Sequence, residues 1–173
     1  AFIDNYVTQL YFDFQIQLAK KVRSNLIEKL IKIQIDNANI LTWIRAKRIS
    51  IEKNDLINKF IAGGNIATNG LVNIYDNDLE ELKSIISQYY RKEVVTEFEV
   101  CCDKNQLFNF EKALEDYFTD QGRKAKMIAY GPEVVYAYFI AKNVAVKNVR
   151  LIMTGKFNQV PSEEIKKTLR ETY

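Results

Sequence analysis

The chain has 173 residues, 47% hydrophobic and 27% charged, with 25 basic against 22 acidic side chains and a net charge of +3. These values belong to a globular protein rather than a disordered one, demand no anionic partner, and leave no apolar run near the ~20 residues a membrane span needs. Histidine is absent, which removes the commonest general base, the commonest zinc ligand and the Ser-His and Cys-His nucleophile pairs together, and argues against an enzyme.

The length suits one domain or two small ones. Two Pro and six Gly favour long helices. No charged-then-apolar leader is expected, and the start at Ala1-Phe2-Ile3-Asp4 without Met suggests a piece of something longer. Cys101 and Cys102 are adjacent, a spacing that rarely bridges because the intervening backbone strains, and free thiols fit a reducing compartment.

In chain order, Leu10, Phe14, Leu18, Val22, Leu26, Leu30 and Ile33 recur at helical spacing, with Lys20, Lys21, Arg23, Glu28, Lys29 and Lys32 mostly opposite. The pattern predicts one long amphipathic helix over 6–33, or two joined end to end. Asp36 is expected to cap a second helix carrying Ile40, Trp43, Ile44 and Lys47. Ser50 is expected to open a third, with Glu52 and Asp55 early and Leu56, Ile57 and Phe60 inside. Residues 62–78 hold three of the six glycines, including Gly63 and Gly64, among several Asn and Asp, which predicts a pause between helices.

Asp76 to Asp78 reads as the cap of a helix whose face carries Leu79, Leu82, Ile85, Ile86, Tyr89 and Tyr90. The following VVTEFEVCC is expected to be a linker, with a strand as the alternative. Asp103 or Asn105 begins a helix through Leu107, Phe108, Phe110, Leu114, Tyr117 and Phe118 that stops at Asp120-Gln121-Gly122. Gly131-Pro132-Glu133 starts another, because Pro suits the first helical position and Glu the positive end of the dipole; it is expected to bury Val134, Val135, Tyr138, Phe139 and Ile140. Segments at Asn148 to Met153 and Pro161 to Glu171 complete about nine helices.

Two stretches echo each other 109 positions apart: Asn39 with Asn148, Trp43 with Ile152, Lys47 with Lys156, Ile51 with Val160, Leu56 with Ile165 and Phe60 with Leu169. Amphipathic helices match one another readily by chance. Shared order carries more weight: apolar helix, Asn, apolar turn, small residue, Lys, loop, amphipathic helix. This predicts an all-α, multihelical fold of two similar units, at 1–97 and 98–173. Asn39 and Asn148 are expected to cap backbone N–H groups or to pin a helix to its neighbour, the same structural job done twice.

No stretch assembles a reactive site. Met153-Thr154-Gly155-Lys156 ends like a phosphate loop, but Arg150 stands where its first Gly belongs and a helix precedes it, so the plain reading is a helix ending at Gly155. The clusters Gly122 to Lys126 and Arg45, Lys47, Arg48 could hold phosphate oxygens, but solvated charge is the ordinary reading. Glu111, Glu115 and Asp116 lie near one helical face, without His or a second cluster, and are expected to be solvent-exposed. Trp43, beside Ile40 and Ile44, is expected in the core.

Tyr130 to Arg170 closely resembles the C-terminal segment of the C subunit of the V-type and A-type rotary ATPases, whose eukaryotic counterpart is the d subunit. The resemblance is carried by Gly131-Pro132-Glu133, Ala141-Lys142, Lys147-Asn148-Val149-Arg150, Gly155-Lys156 and the Pro161 helix, in that order. Upstream, Asp36, Asn39, Arg45 and Gly63-Gly64 look like the family's middle portion. Asn143 and Ala145 stand where relatives commonly carry acids.

The resemblance implies an all-helical, funnel-shaped protein of three similar units about a pseudo-threefold axis, of which this chain supplies about two. It implies a non-catalytic central-stalk part at the cytoplasmic face of the membrane. Its partners would be the central shaft subunits of the D and F type and the proteolipid rotor ring, with no cofactor, metal, small-molecule substrate or nucleic acid. Lys47 and Arg123 are candidate partner contacts. The alternative reading is a helical nucleic-acid or protein adaptor, prompted by the basic clusters.

Overall fold

The computed structural model describes residues 2–77, 79–104 and 107–172. Among them lie nine α-helices and no strand: α1 (Phe2–Lys21), α2 (Asn25–Arg48), α3 (Lys53–Ile57), α4 (Thr68–Asn73), α5 (Leu79–Tyr89), α6 (Lys92–Lys104), α7 (Leu107–Arg123), α8 (Pro132–Phe157) and α9 (Ser162–Thr168), with a 3₁₀ turn at Lys124–Met127.

The long amphipathic pattern at the start is two helices. Arg23 takes a positive φ of 54°, and Ser24 caps α2 by accepting the Ile27 N–H at 3.2 Å. Asp36 is therefore not a cap. It lies in the middle of α2, buried, and its carboxylate serves a distant loop instead. Ser50 does not open α3 either; it closes α2 at φ 53°, and Glu52 stands at the N-cap of α3. The pause over 62–78 contains a short helix of its own, α4. Asp78 and Asn105, expected as caps, lie outside the described residues, and Asp103 belongs to α6.

Residues 94–102 are neither linker nor strand but the body of α6. Val94, Phe98 and Cys101 follow helical spacing and are all buried against Phe110 and Leu114 of α7, so packing overrides the strand preference of the Val and Thr residues. Residues 97 and 98 are consecutive positions of α6.

The main core gathers Ile40, Trp43, Leu56, Leu71, Ile86 and Phe110, with further residues of α2 to α7. Trp43 is fully buried, as expected, and donates its indole N–H to the Leu71 carbonyl at 2.9 Å. A second core joins α1 to α2 through Phe12, Ala19, Ile27, Ile31, Ile35 and the following Ile61. The outward stripe of α1 is the one the periodicity assigned inward: Leu10, Phe14 and Leu18, with Val22 just beyond its end, are exposed, while Phe12 and Ala19 are buried.

α8 is a single helix that runs from Pro132 past Gly155 to Phe157, rather than two. It turns Ala137, Ile140, Val144 and Asn148 inward and leaves Val134, Val135, Tyr138 and Phe139 exposed, the reverse of the expectation except at Ile140. Gly155 does not end it. Its missing side chain makes room for Ile165 of α9, whose Cδ1 and Cγ1 would lie 2.7 Å from a Cβ there.

Candidate functional site

The two asparagines of the echo do the same thing at both places. Asn39 donates its side-chain N–H to the Ile61 carbonyl at 2.7 Å and accepts the Ile61 N–H at 2.8 Å. Asn148 donates to the Arg170 carbonyl at 2.9 Å and accepts the Arg170 N–H at 2.9 Å. Each amide thus satisfies both backbone polar groups of a residue 22 positions further on, and 109 positions separate both the asparagines and their targets. A side-chain amide suits this task because it carries a donor and an acceptor side by side without charge.

The connection between clamp and target is matched bond for bond. Ser50 and Gln159 take φ 53° and 56°. The Ile51 N–H reaches back to the Ala46 carbonyl at 3.0 Å, and the Val160 N–H to the Gly155 carbonyl at 2.9 Å. Both are Schellman-type ends that turn the chain sharply. Short helices α3 and α9 follow at equivalent positions, and the chain then returns to the asparagine.

A side chain from the preceding helix finishes each clamp. Gln9 of α1 binds Ala62 on both sides, accepting its N–H at 2.8 Å and donating to its carbonyl at 3.3 Å. Asp116 of α7 accepts the Glu171 N–H at 2.8 Å. Glu115 holds Arg170 at 2.7 Å and Lys147 at 2.8 Å, while the Arg170 guanidinium lies 4.8 Å from the centre of the Phe108 ring. Burial raises the Glu115 carboxyl, but hydrogen bonds and charge from Lys147 and Arg170 outweigh it and leave the group below the ordinary glutamate value. The expectation that Glu111, Glu115 and Asp116 face solvent is thus overturned, since all three are engaged with the protein and Asp116 is buried.

Asp36 adds a third acceptor to the first clamp. Its carboxylate takes the N–H groups of Asn65 and Ile66 at 3.1 and 3.0 Å and the Asn65 amide at 2.8 Å. Burial pushes its carboxyl above the ordinary aspartate value, against the lowering by those hydrogen bonds. Gly64 packs directly on this carboxylate, and Gly63 turns the chain at φ 101°. Gly131, at φ 143°, precedes Pro132 at the start of α8, with Glu133 folded back over it. Arg150 is exposed on α8, and Lys156 donates to Ser162 at 2.8 Å.

The basic clusters remain largely at the surface, with Arg45, Arg48, Lys124 and Lys126 exposed, while several members find partners within the chain. Arg45 pairs with Glu111. Lys47 donates to the Tyr75 carbonyl at 2.6 Å and lies over the Trp43 and Tyr75 rings. Arg48 meets Cys101 at 3.3 Å, and Arg123 pairs with Glu171 at 3.1 Å. Burial raises both thiols, that of Cys102 to about 11, so neither is a thiolate near neutrality. Among the described residues no group of three or more His, Cys, Asp and Glu could hold a metal ion, and no helix is long and apolar enough to cross a membrane. A cleft of about 620 Å³ beside α6 and α7, lined by Arg91, Glu97, Lys112, Asp116, Lys167 and Glu171, mixes both signs of charge and presents no nucleophile with a base.

The site residues that the sequence left unmarked are Gln9, Glu115, Asp116 and Arg170 in their clamping roles. Gln9 carries no local signal, because its partner is 53 positions away. Arg170 could have been found by carrying the Asn39–Ile61 spacing over to Asn148.

The sequence model of the ATP synthase (C/AC39) subunit family matches residues 1–168. The C subunit of the A-type ATP synthase of Methanocaldococcus jannaschii is 25% identical over 170 residues, covering 95% of this chain and 41% of the relative. Its counterpart in Methanosarcina acetivorans is 27% identical over 164 residues, covering 90% of this chain and 44% of the relative. The C subunit of the V-type sodium ATPase of Enterococcus hirae is 34% identical over 67 residues, covering 39% of this chain and 20% of the relative. The chain therefore spans less than half the length of these curated relatives. No solved structure matches it significantly.

Proposed function

The chain belongs to the ATP synthase (C/AC39) subunit family, and from that premise we propose that it is a non-catalytic coupling part of a V-type or A-type rotary ATPase. In this reading it stands at the cytoplasmic face of the membrane, between the central shaft subunits of the D and F type and the proteolipid rotor ring. It passes torque between the ATP-handling head and the ion-carrying ring, and has no active site of its own.

The observation that carries the reading is the doubled clamp. A part that transmits torque needs its helices tied so that they move as one body, through close packing and satisfied buried hydrogen bonds rather than through a poised reactive group. Two helical hairpins, α1–α2 and α7–α8, each have the returning chain bonded to both of their helices, with Asn39 and Gln9 at one and Asn148 and Asp116 at the other. The raised thiols and the charge-mixed cleft fit a part without chemistry. Arg45, Lys47 and Arg123 each have a partner within the chain, which lowers the charge they offer to a nucleic acid.

The test is a sizing column loaded with the purified chain and the D- and F-type shaft subunits, and separately with the detergent-solubilised ring. Co-migration with either supports the coupling role. Failure with both, repeated with the full-length protein, overturns it, as does ATP hydrolysis by the pure chain.

A further inference from the structure

The turns that close the two helical hairpins carry the same chemistry. Between α1 and α2, Lys20, Lys21, Val22 and Arg23 follow one another and all four are exposed. Between α7 and α8, Lys124, Lys126, Met127 and Tyr130 are exposed, Met127 at 90% and Tyr130 at 88%. Each turn thus sets bulky apolar side chains in water among lysines and arginine.

Both turns lie at one end of the molecule. α2 and α7 run antiparallel: Ile33 lines a small cavity with Tyr117, Asn37 donates to the Leu114 carbonyl at 3.2 Å, and Arg45 pairs with Glu111. At a helical rise of ~1.5 Å per residue, Ser24 stands ~20 Å beyond Asn37 and Arg123 ~14 Å beyond Leu114, in the same direction. Positive charge at this end is only partly compensated. Glu28 is taken by Lys32 at 2.7 Å, Asp120 by Arg91 and Arg123 at 3.5 Å each, and Glu171 by Arg123 at 3.1 Å. Among the described residues no carboxylate lies at ion-pair distance from Lys20, Lys21 or Arg23. Lys124 is held by the neutral Gln121 amide at 2.8 Å, which leaves its charge in place. Glu133, folded back over Gly131, is an acid that stands against them.

We infer that this end of the molecule docks on a membrane surface rich in anionic phospholipid, Lys20, Lys21, Arg23 and Lys124 reaching the headgroup phosphates while Val22, Met127 and Tyr130 dip between the headgroups. Charge alone would suit any anion, but protruding apolar side chains beside lysines suit an interface that is anionic outside and apolar just beneath. Two turns at one end give the contact two points, which fixes the tilt of the hairpins on the surface. The sides of α1 and α8 take no part in it. The membrane is the one at which the coupling role proposed above places the protein. Vesicles hold neither ring nor shaft, so failure to bind them overturns this contact and leaves capture by ring or shaft as a separate question.

Co-sedimentation of the purified full-length protein with vesicles tests it, using phosphatidylcholine alone and an equal mixture of phosphatidylcholine and phosphatidylglycerol. The parent is expected to pellet with the mixed vesicles, to ignore the neutral ones, and to be released as salt rises. Lys20→Glu with Lys21→Glu should weaken binding about tenfold or more. Lys142→Glu with Arg150→Glu makes the same change of charge on the side of α8 and should leave binding within about twofold. All four positions are exposed, so helical circular dichroism and thermal melting of both variants should match the parent. Tyr130→Trp adds a second readout, because Trp43 is buried: its emission should move to the blue on adding mixed vesicles. A parent that stays in the supernatant with mixed vesicles overturns the inference. So does an equal loss in the two double variants, which would mean net charge alone, or a Trp emission that does not move. Unchanged vesicle binding by Lys20→Glu with Lys21→Glu, joined to lost capture by shaft or ring, would give the turns to an acidic protein face and rule out the lipid.

Discussion

Replacing Asn39 with Ala strands both polar groups of a buried peptide. Asn39 is 1% exposed, and its amide is the partner of the Ile61 N–H and carbonyl. Each buried backbone group left without a partner costs about 1–3 kcal/mol, so two cost roughly 2–6 kcal/mol, at the upper end if no water reaches the site. Asn148 makes the same pair of bonds, but at a thinner place, where Arg170 is only half-buried and solvent can replace part of what is lost. Asn148→Ala is therefore expected to cost about 1–2 kcal/mol. Urea unfolding followed by circular dichroism reads both, as a fall in midpoint with the slope unchanged. For a chain of this size, about 3 kcal/mol corresponds to a melting temperature lower by roughly 6–12 °C. An Asn39→Ala penalty below about 1 kcal/mol, or one no larger than that of Asn148→Ala, would refute the view that the clamp bonds are desolvated and irreplaceable.

Further outcomes can be measured. Gly155→Ala places a Cβ 2.7 Å from two atoms of Ile165, so overpacking of about 1–3 kcal/mol should outweigh the ~1 kcal/mol gained in helix propensity; combined with Ile165→Ala it should cost less than the sum of the single changes. Glu115→Gln removes a carboxyl whose folded pKa lies below its unfolded value of 4.5. That stabilisation is complete above the unfolded value and lost as pH falls through the folded one, so parent and variant stabilities should converge in acid, and an undiminished gap there would exclude the ion pairs as its source. Asp36 runs the other way, its raised pKa giving a contribution present below 3.8 and lost as pH rises through the folded value. Trp43→Phe gives up the bond to Leu71 and part of a fully buried indole, for an expected loss of about 2–4 kcal/mol in urea unfolding; no loss would mean that the core collapses around the smaller ring.

The misread faces of α1 and α8 have a common cause. Both helices carry apolar side chains around most of their circumference, Leu10, Phe12, Phe14 and Ile16 on one and Val135, Ile140, Val144 and Val149 on the other. Period alone names a face only when the opposite side is polar. VVTEFEVCC misled differently: its Val and Thr favour strands one residue at a time, whereas Val94, Phe98 and Cys101 bury as a helical stripe only because α7 lies against them. Asp36 looked like a cap because an acid before an apolar run is the usual local signal, yet its acceptors are needed by Asn65 and Ile66, 29 and 30 positions away.

By itself the sequence determined that the chain is helical and that two stretches 109 positions apart share an order of residue types with an asparagine at the same point of each. These are matters of spacing along a single helix or between two copies of a pattern, and spacing is written in the chain. Only the tertiary structure decided which side of α1 and α8 is bare, that Asn39 and Asn148 each grip a peptide 22 residues downstream, and that Gln9 and Asp116 complete the two grips. Those depend on how far each turn swings the following segment back onto its own hairpin, and no local propensity carries that distance.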